Sequence, residues 1–245
     1  MRQIINNADI IENKNETTWL YTLKVTINLL SHVFSSLVVV ICVWFSCRST
    51  KLTVIELHIV LCVLGYQLLM SQGILALSNF NSWSIYFKRR HRRCIHWALE
   101  FIGAILAIVG SIEVIIYKQE HFNTLHGILG LCAFIATMIS IFNGTMTSLA
   151  TKISSYGITG IGLTTASKCV HGVTGIATLF LAAGSLHYGY DKGSFRKWIN
   201  NENFIIVLKI FTWFFTICVG FEFWIILVKR IKCKNIMPVD VSNQN

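Results

Sequence analysis

The stretch RRHRRCIHWALEFIGAILAIVG, Arg89–Gly110, decides the fold. Four arginines crowd its start, and a largely apolar run follows that is long enough to be a helix crossing a bilayer. His96 sits just inside the boundary, where hydrocarbon tolerates an imidazole only if a partner takes it up.

The rest of the chain repeats the pattern. Of 245 residues, 54% are hydrophobic and only 13% charged, too little charge for a soluble domain of this length. The single proline, Pro238, lies near the C-terminus, so nothing interrupts the apolar runs. Six of these can be drawn: Tyr21–Phe45, Val54–Ser78, Ile95–Tyr117, Thr124–Ala150, Lys168–Tyr188 and Phe204–Val228. Each approaches or exceeds the ~20 residues a spanning helix needs. The expected fold is an all-α membrane protein of six transmembrane helices. The expected organisation is an N-terminal segment 1–20, a membrane domain 21–230 and a C-terminal tail 231–245. The leader holds Asp9, Glu12, Lys14 and Glu16, so the first segment reads as an anchor rather than a cleaved signal.

Lysine and arginine set the orientation. With six spans both termini share a side, and that side collects Arg2, Lys14, Lys24, the run Lys88–Arg93, Lys152, Lys168 and the tail Lys229, Arg230, Lys232 and Lys234. The other side holds Arg48, Lys51, Lys118, Lys192, Arg196 and Lys197. Both termini are therefore expected in the cytosol, and the sequon at Asn15 is expected to be unglycosylated. The net charge of +10 follows from this topology, and no nucleic-acid partner is expected. The eight cysteines form no CxxC pair; Cys62, Cys132 and Cys218 read as small packing residues, and Cys94 and Cys169 as reduced thiols at cytosolic helix ends. The glycine cluster Gly157–Gly162 follows no strand and is not a dinucleotide fingerprint.

The chemistry lies in four of the eight histidines. His58, His96, His126 and His171 each fall a few residues inside the start of consecutive segments two to five. Because the helices alternate in direction, His58 and His126 share one depth and His96 and His171 the other. Two imidazoles facing each other at one level suit bis-histidine ligation of a haem; zinc wants three or four ligands. His126 and His171 have glycine at i+1 and i+4 (Gly127, Gly130; Gly172, Gly175), and His58 and His96 have it at i+7 (Gly65, Gly103), which is expected to make room for a porphyrin. Any one of these histidines alone could equally hydrogen-bond a neighbouring helix. His32 has no partner at its depth and is expected to pack or hydrogen-bond; His91 is expected in solvent.

The stretches RRCIHWALE, HFNTLHGILGL and VHGVTGIATLFLAAGSL resemble the short transmembrane-reductase branch of the cytochrome b561 family. The resemblance runs over about residues 20–230 and is most specific at the four histidines. It implies a central bundle of helices two to five with two b-type haems, one on His58 and His126, the other on His96 and His171. It also implies ascorbate as the cytosolic donor, and a ferric chelate or monodehydroascorbate as acceptor on the opposite side. The chain departs from the ascorbate-dependent members at SQGILALSN, which lacks their basic-aromatic motif, and at LHG in place of an LHSW-like run.

The two ligand levels lie about fifteen residues apart along the second segment, or ~20 Å at ~1.5 Å per residue. A haem at each level would make a wire across the bilayer. The basic run beside His96, with Arg92, Arg93 and Lys168 nearest the ligands, is a candidate rim for an anionic donor, and it is also what the positive-inside rule alone produces. Lys118 and His121 are the candidates at the acceptor side, against a plain role in anchoring helix ends; His187 reads as such an anchor. Two other classes stand beside this one. A dihaem cytochrome b using quinol could employ Gln67, Gln72 and Glu100. A non-haem six-span transporter would use the histidines as a proton or metal path. A homodimer is an assembly left open.

Overall fold

The computed structural model describes the backbone of residues 2–49, 51–155 and 161–235, and the side chains of 18–49, 51–153 and 164–224. Among the described residues there is helix and no strand. The helices are α1 (Arg2–Ser46), α2 (Val54–Leu75), α3 (Arg89–Tyr117), α4 (Leu125–Ser155), α5 (Ile161–Gly189), a short α6 (Gly193–Ile199) and α7 (Glu202–Asn235). All but α6 are long and apolar enough to cross a membrane, which makes the protein an all-α membrane protein with six spans. The backbone of the expected leader is no separate coil: α1 runs through it, and its membrane-crossing part begins at Thr18. Most of the glycine cluster at 157–160, the side chains around Asn15, and residues 236–245 of the expected tail lie outside the described residues.

Local chemistry accounts for the helix ends. Thr53 and Glu56 form a reciprocal cap at the start of α2: Glu56 N–H donates to Thr53 Oγ1 at 3.3 Å and Thr53 N–H donates to Glu56 Oε2 at 2.9 Å. Arg48 closes the same corner on Glu56 at 3.0 Å. The middle of α2, Val63–Met70, is π-helical. Its widened turns leave the Gln67 carbonyl to accept hydroxyls from Ser35 at 2.8 Å and Ser71 at 2.6 Å. Helix α2 stops three residues before the expected Ser78, and α3 starts six before the expected Ile95. The basic run is thus the first turns of α3, and Arg92 turns back over the end of α2. It donates from Nε to Ala76 O at 2.8 Å, from Nη1 to Asn79 Oδ1 at 3.1 Å and from Nη2 to Ser78 O. Carbonyls at a helix end have no partner within the helix, and here the cap carbonyl of Ala76 is taken by this guanidinium together with Ser84 Oγ at 3.0 Å.

The spans pair off. Helix α2 packs along α3, α4 along α5, and α1 along α7, which also touches α5. Helices α3 and α4 meet only sparsely, leaving a cleft between the α2/α3 pair and the α4/α5 pair. The larger apolar core, including Val38, Phe45, Leu75, Leu179 and Phe215, joins α1, α2, α5 and α7. A second core of smaller residues, among them Ala104, Ala107, Ala133 and Ala182 with Tyr66 and Met70, lies within the central four helices. The small side chains let backbones approach, the usual driving term for helix association in lipid.

Glycine marks the closest approaches. A Cβ at Gly65 would stand 2.6 Å from Gly103 O, and one at Gly103 would stand 2.9 Å from Gly65 O. These two glycines therefore seat α2 on α3, and the expectation that they make room for a porphyrin is corrected. Gly130 and Gly175 do line cavities in the cleft, as expected. Gly172 instead faces the Phe223 ring of α7. Of the cysteines read as packing residues, Cys132 is exposed on the helix surface.

Candidate haem-binding cleft

Two histidine pairs face each other across the cleft at two levels. His58 of α2 and His126 of α4 have ring centres 6.2 Å apart, with planes at 89°. His96 of α3 and His171 of α5 have ring centres also 6.2 Å apart, with planes at 72°. One metal ion fits between two such rings, since a metal–nitrogen bond of about 2 Å plus about 1.1 Å from nitrogen to ring centre on each side gives close to this interval. Among the described residues, no group of three or more His, Cys, Asp and Glu side chains gathers to hold a metal. Two axial imidazoles with a macrocycle supplying the remaining donors are what this donor set fits.

Three of the four rings are aimed by a backbone carbonyl on the helix that their own helix packs against. His58 Nδ1 donates to Gly110 O at 2.8 Å, His126 Nδ1 to Ser185 O at 2.8 Å, and His96 Nδ1 to Gly73 O at 2.9 Å. A neutral imidazole that donates through Nδ1 keeps the Nε2 lone pair for a metal. Ser185 adds a second tie by donating Oγ to His126 O at 2.9 Å. Cys62, one turn on from His58, places Sγ 3.6 Å from Nδ1 of that ring. On the opposing helices, glycine leaves space for the rings: a Cβ at Gly189 would sit 3.3 Å from the His126 ring, and one at Gly144 would sit 2.9 Å from the His171 ring.

The cavities differ. The one at His58 and His126 has about 520 Å³, within the ~300–1,000 Å³ of typical small-molecule sites. It runs from Gln67 and Tyr66, deep in the bundle, to a mouth at Lys118, His121, Thr124 and Lys192. The one at His96 and His171 is tighter, about 60 Å³, walled by Thr137, Ser140, Gly144 and Gly175 on one side. Its other wall carries Trp97 and Phe101, which are 43% and 54% exposed at the open flank between α3 and α4. Tyr66 of the larger cavity bonds Thr137 of the smaller at 3.0 Å, so one hydroxyl pair separates the two.

The other expected site residues fall unequally. Arg93 is exposed and Lys168 half-buried, at the end of the bundle where α3 and α5 begin. Arg92 is only 7% exposed, and three of its donors are spent on the end of α2. At the opposite end Lys118 and His121 are exposed at the cavity mouth, with His121 Nε2 donating to Ile115 O at 2.6 Å. Lys192 joins them, its Nζ donating to Thr124 Oγ1 at 3.1 Å. Its position at this mouth was not foreseen, because it enters from the short loop before α6. The three polar residues considered for quinol do not share a site. Gln67 lines the larger cavity and Glu100 the smaller, while Gln72 bonds His32 and Trp83 at 2.9 and 3.3 Å. His32 is held between Gln72 and Asn81, as expected of a hydrogen-bonding histidine. His187 accepts from Trp213 Nε1 at 3.2 Å, which ties α5 to α7.

Comparison with known proteins agrees with this geometry. Residues 57–196, over half of the chain and holding all four paired histidines, match the family described as Eukaryotic cytochrome b561. Over 80 residues the chain is 32% identical to transmembrane reductase CYB561D2 of Bos taurus, and equally to the proteins of that name from Mus musculus and Homo sapiens. Those alignments cover 31% of this chain and span 36%, about a third, of the length of the relatives. The chain, with its six spans and two levels of paired histidines in one cleft, belongs to the cytochrome b561 family.

Proposed function

We propose that the protein is a transmembrane one-electron oxidoreductase, taking electrons from cytosolic ascorbate and delivering them to a ferric chelate or monodehydroascorbate on the opposite side. The observation that carries this reading is the pair of His–His intervals of 6.2 Å at two levels of one cleft. Two haems b, one per level, would supply a reversible ferric/ferrous couple. His58 and His126 would hold one, His96 and His171 the other. The chain contributes position and insulation. Carbonyls of Gly110, Ser185 and Gly73 fix three rings, and small residues, among them Ala104, Ala107, Ala133 and Ala182, pack between the central helices.

The termini-bearing end is assigned to the cytosol by its lysine and arginine excess. There Arg93 and Lys168 present charge to an anionic donor, and the buried Arg92, with three of its five donors turned to the end of α2 and the loop after it, adds to the field. At the opposite end Lys118, His121 and Lys192 ring the mouth of the larger cavity, a cationic rim suited to an anionic chelate or an oxidised ascorbate radical. The printed name of the relatives, transmembrane reductase, supports the same class. The test is the visible spectrum and haem stoichiometry of purified protein, followed by donor selectivity in proteoliposomes. Two haems per chain and reduction by ascorbate on the termini side support the reading. A colourless, correctly folded protein would point to the transporter class, and reduction by quinol but not ascorbate to the other cytochrome class.

A further inference from the structure

We infer that the start of α3 is a binding site for the phosphate of an anionic phospholipid. Lys88, Arg89 and Arg90 hold the headgroup, and the exposed face of α3 at Trp97 and Phe101 takes an acyl chain. The inference stands apart from what the cleft holds.

The first turn of α3 is charged against its own helix. A helix N-terminus carries partial positive charge and N–H groups with no partner inside the helix, so acidic or hydroxyl side chains suit it and cations do not. Here the N-cap is Lys88, whose side chain caps nothing, and the first turn holds no acidic residue. Arg89, Arg90 and His91 follow, and all three are exposed, as is Lys88. Arg92 escapes the conflict by turning back over the end of α2. Lys88, Arg89 and Arg90 do not: among the described residues none of the three has an ion pair or a side-chain hydrogen bond. The positive-inside rule calls for cations on this side of the membrane, but any place in the loop would satisfy it. It does not call for them on the positive end of a helix. A bound anion removes both conflicts, the repulsion among the cations and the bare N–H groups.

The surroundings choose the kind of anion. Tyr86 and Phe87, just before the run, are 87% and 45% exposed. Aromatic rings beside cations at the end of a span are the chemistry of the headgroup level. Along α3, Trp97 lies seven residues after Arg90 and Phe101 four further on. At about 100° per residue both fall within roughly 20° of the Arg90 direction. Trp97 and Phe101 are 43% and 54% exposed. Arg90 precedes Trp97 by about 10 Å along the axis, so a phosphate held at Arg90 sends its chains down past these two rings. A soluble anion would use the charges and leave the stripe bare. Lysine and arginine clustered just outside a span recognise anionic headgroups, each cation contributing a factor of roughly five in binding.

The experiment is native mass spectrometry of the purified protein in detergent, titrated with dioleoylphosphatidylserine and, in parallel, with dioleoylphosphatidylcholine. The wild type should bind the anionic lipid at least about tenfold more tightly. Lys88→Gln, Arg89→Gln and Arg90→Gln together should weaken that binding on the order of a hundredfold and leave phosphatidylcholine binding unchanged. Arg90→Gln alone, a milder change if the triple variant does not fold, should lose roughly fivefold. Lys229→Gln, Arg230→Gln and Lys232→Gln remove as many charges from the end of α7 and should cost much less. Equal loss in that tail variant would overturn the inference, because the attraction would then be diffuse. Equal binding of the two lipids by the wild type would overturn it as well. So would binding of glycerophosphoserine, the headgroup without chains, as tight as that of the lipid, or displacement of the lipid by ascorbate; either result gives the run to a soluble anion.

Discussion

Gly65→Ala tests the reading of how α2 sits on α3. The added Cβ would stand 2.6 Å from Gly103 O and 3.0 Å from Ala107 N, both backbone atoms that cannot rotate away. Restoring an ordinary contact of about 3.4 Å requires the two helices to part by roughly 0.8 Å there. Overpacking of this kind costs about 1–3 kcal/mol. A second cost follows two turns away. His58 Nδ1 reaches Gly110 O across the same interface at 2.8 Å, and the same parting would take it to about 3.6 Å, no longer a hydrogen bond. That adds about 1 kcal/mol and frees the His58 ring to turn. We expect Gly65→Ala to melt earlier, by about 2–4 kcal/mol in all, and to perturb the spectrum of the His58/His126 component before the other. The assay is thermal unfolding in detergent followed by far-ultraviolet circular dichroism, with the Soret band recorded in parallel. Gly193→Ala is the control: nothing lies within 4 Å of its Cβ, so its effect should stay within about 0.5 kcal/mol. Wild-type melting and an unaltered spectrum in Gly65→Ala would refute the close-packed interface.

Substituting His58 or His126 by alanine should remove one and the same spectral component, and His96 or His171 the other; loss of one shared component from His58→Ala and His96→Ala would break the pairing. Arg92→Gln takes the guanidinium from the carbonyl of Ser78, while Ala76 O keeps Ser84 Oγ at 3.0 Å, and should destabilise by about 1–3 kcal/mol in a melting assay. Arg93→Gln with Lys168→Gln should instead leave haem content alone and slow stopped-flow reduction by ascorbate at low salt, the difference closing as salt rises; equal rates at low salt would reduce these charges to topology signals. Tags at either terminus should resist protease in sealed cells and be cleaved after permeabilisation, and a glycan at Asn15 would contradict that orientation.

The spans were legible because a bilayer imposes one length and one solvent on all of them, so apolar runs alone locate them. Their ends were not. Hydropathy treats arginine as a stop, whereas the backbone of α3 continues through Arg89–Ile95 and only side-chain direction changes. Arg92 shows the consequence: as a letter it is a surface cation, yet its long arm folds back to cap α2. The histidine pairs were legible from depth and helix alternation, which need no contacts. What aims the rings was hidden, since Gly110, Ser185 and Gly73 act through carbonyls that every residue possesses. Gly65 and Gly103 were placed on the right helices but given the wrong neighbour, because spacing along one helix does not say which partner faces it. The short α6 was missed: its seven residues are too few to show a period, and its end at Asn200, with φ 47°, becomes evident only as backbone.

The π-helical stretch Val63–Met70 lies between His58 and Gly73, the residues through which α2 serves the two levels. Each residue of an α-helix turns the chain by about 100°. A π-turn holds about one residue more than an α-turn, so a deletion inside the stretch could be absorbed by relaxation to ordinary turns, whereas a further residue added there would swing one half of α2 through about that angle against the other. His58 could then keep facing His126, or Gly73 could keep facing His96, but not both. The chain is thus gauged here in units of one residue. The wide turns of Val63–Met70 hold the spare residue that lets one helix face two sites that never touch.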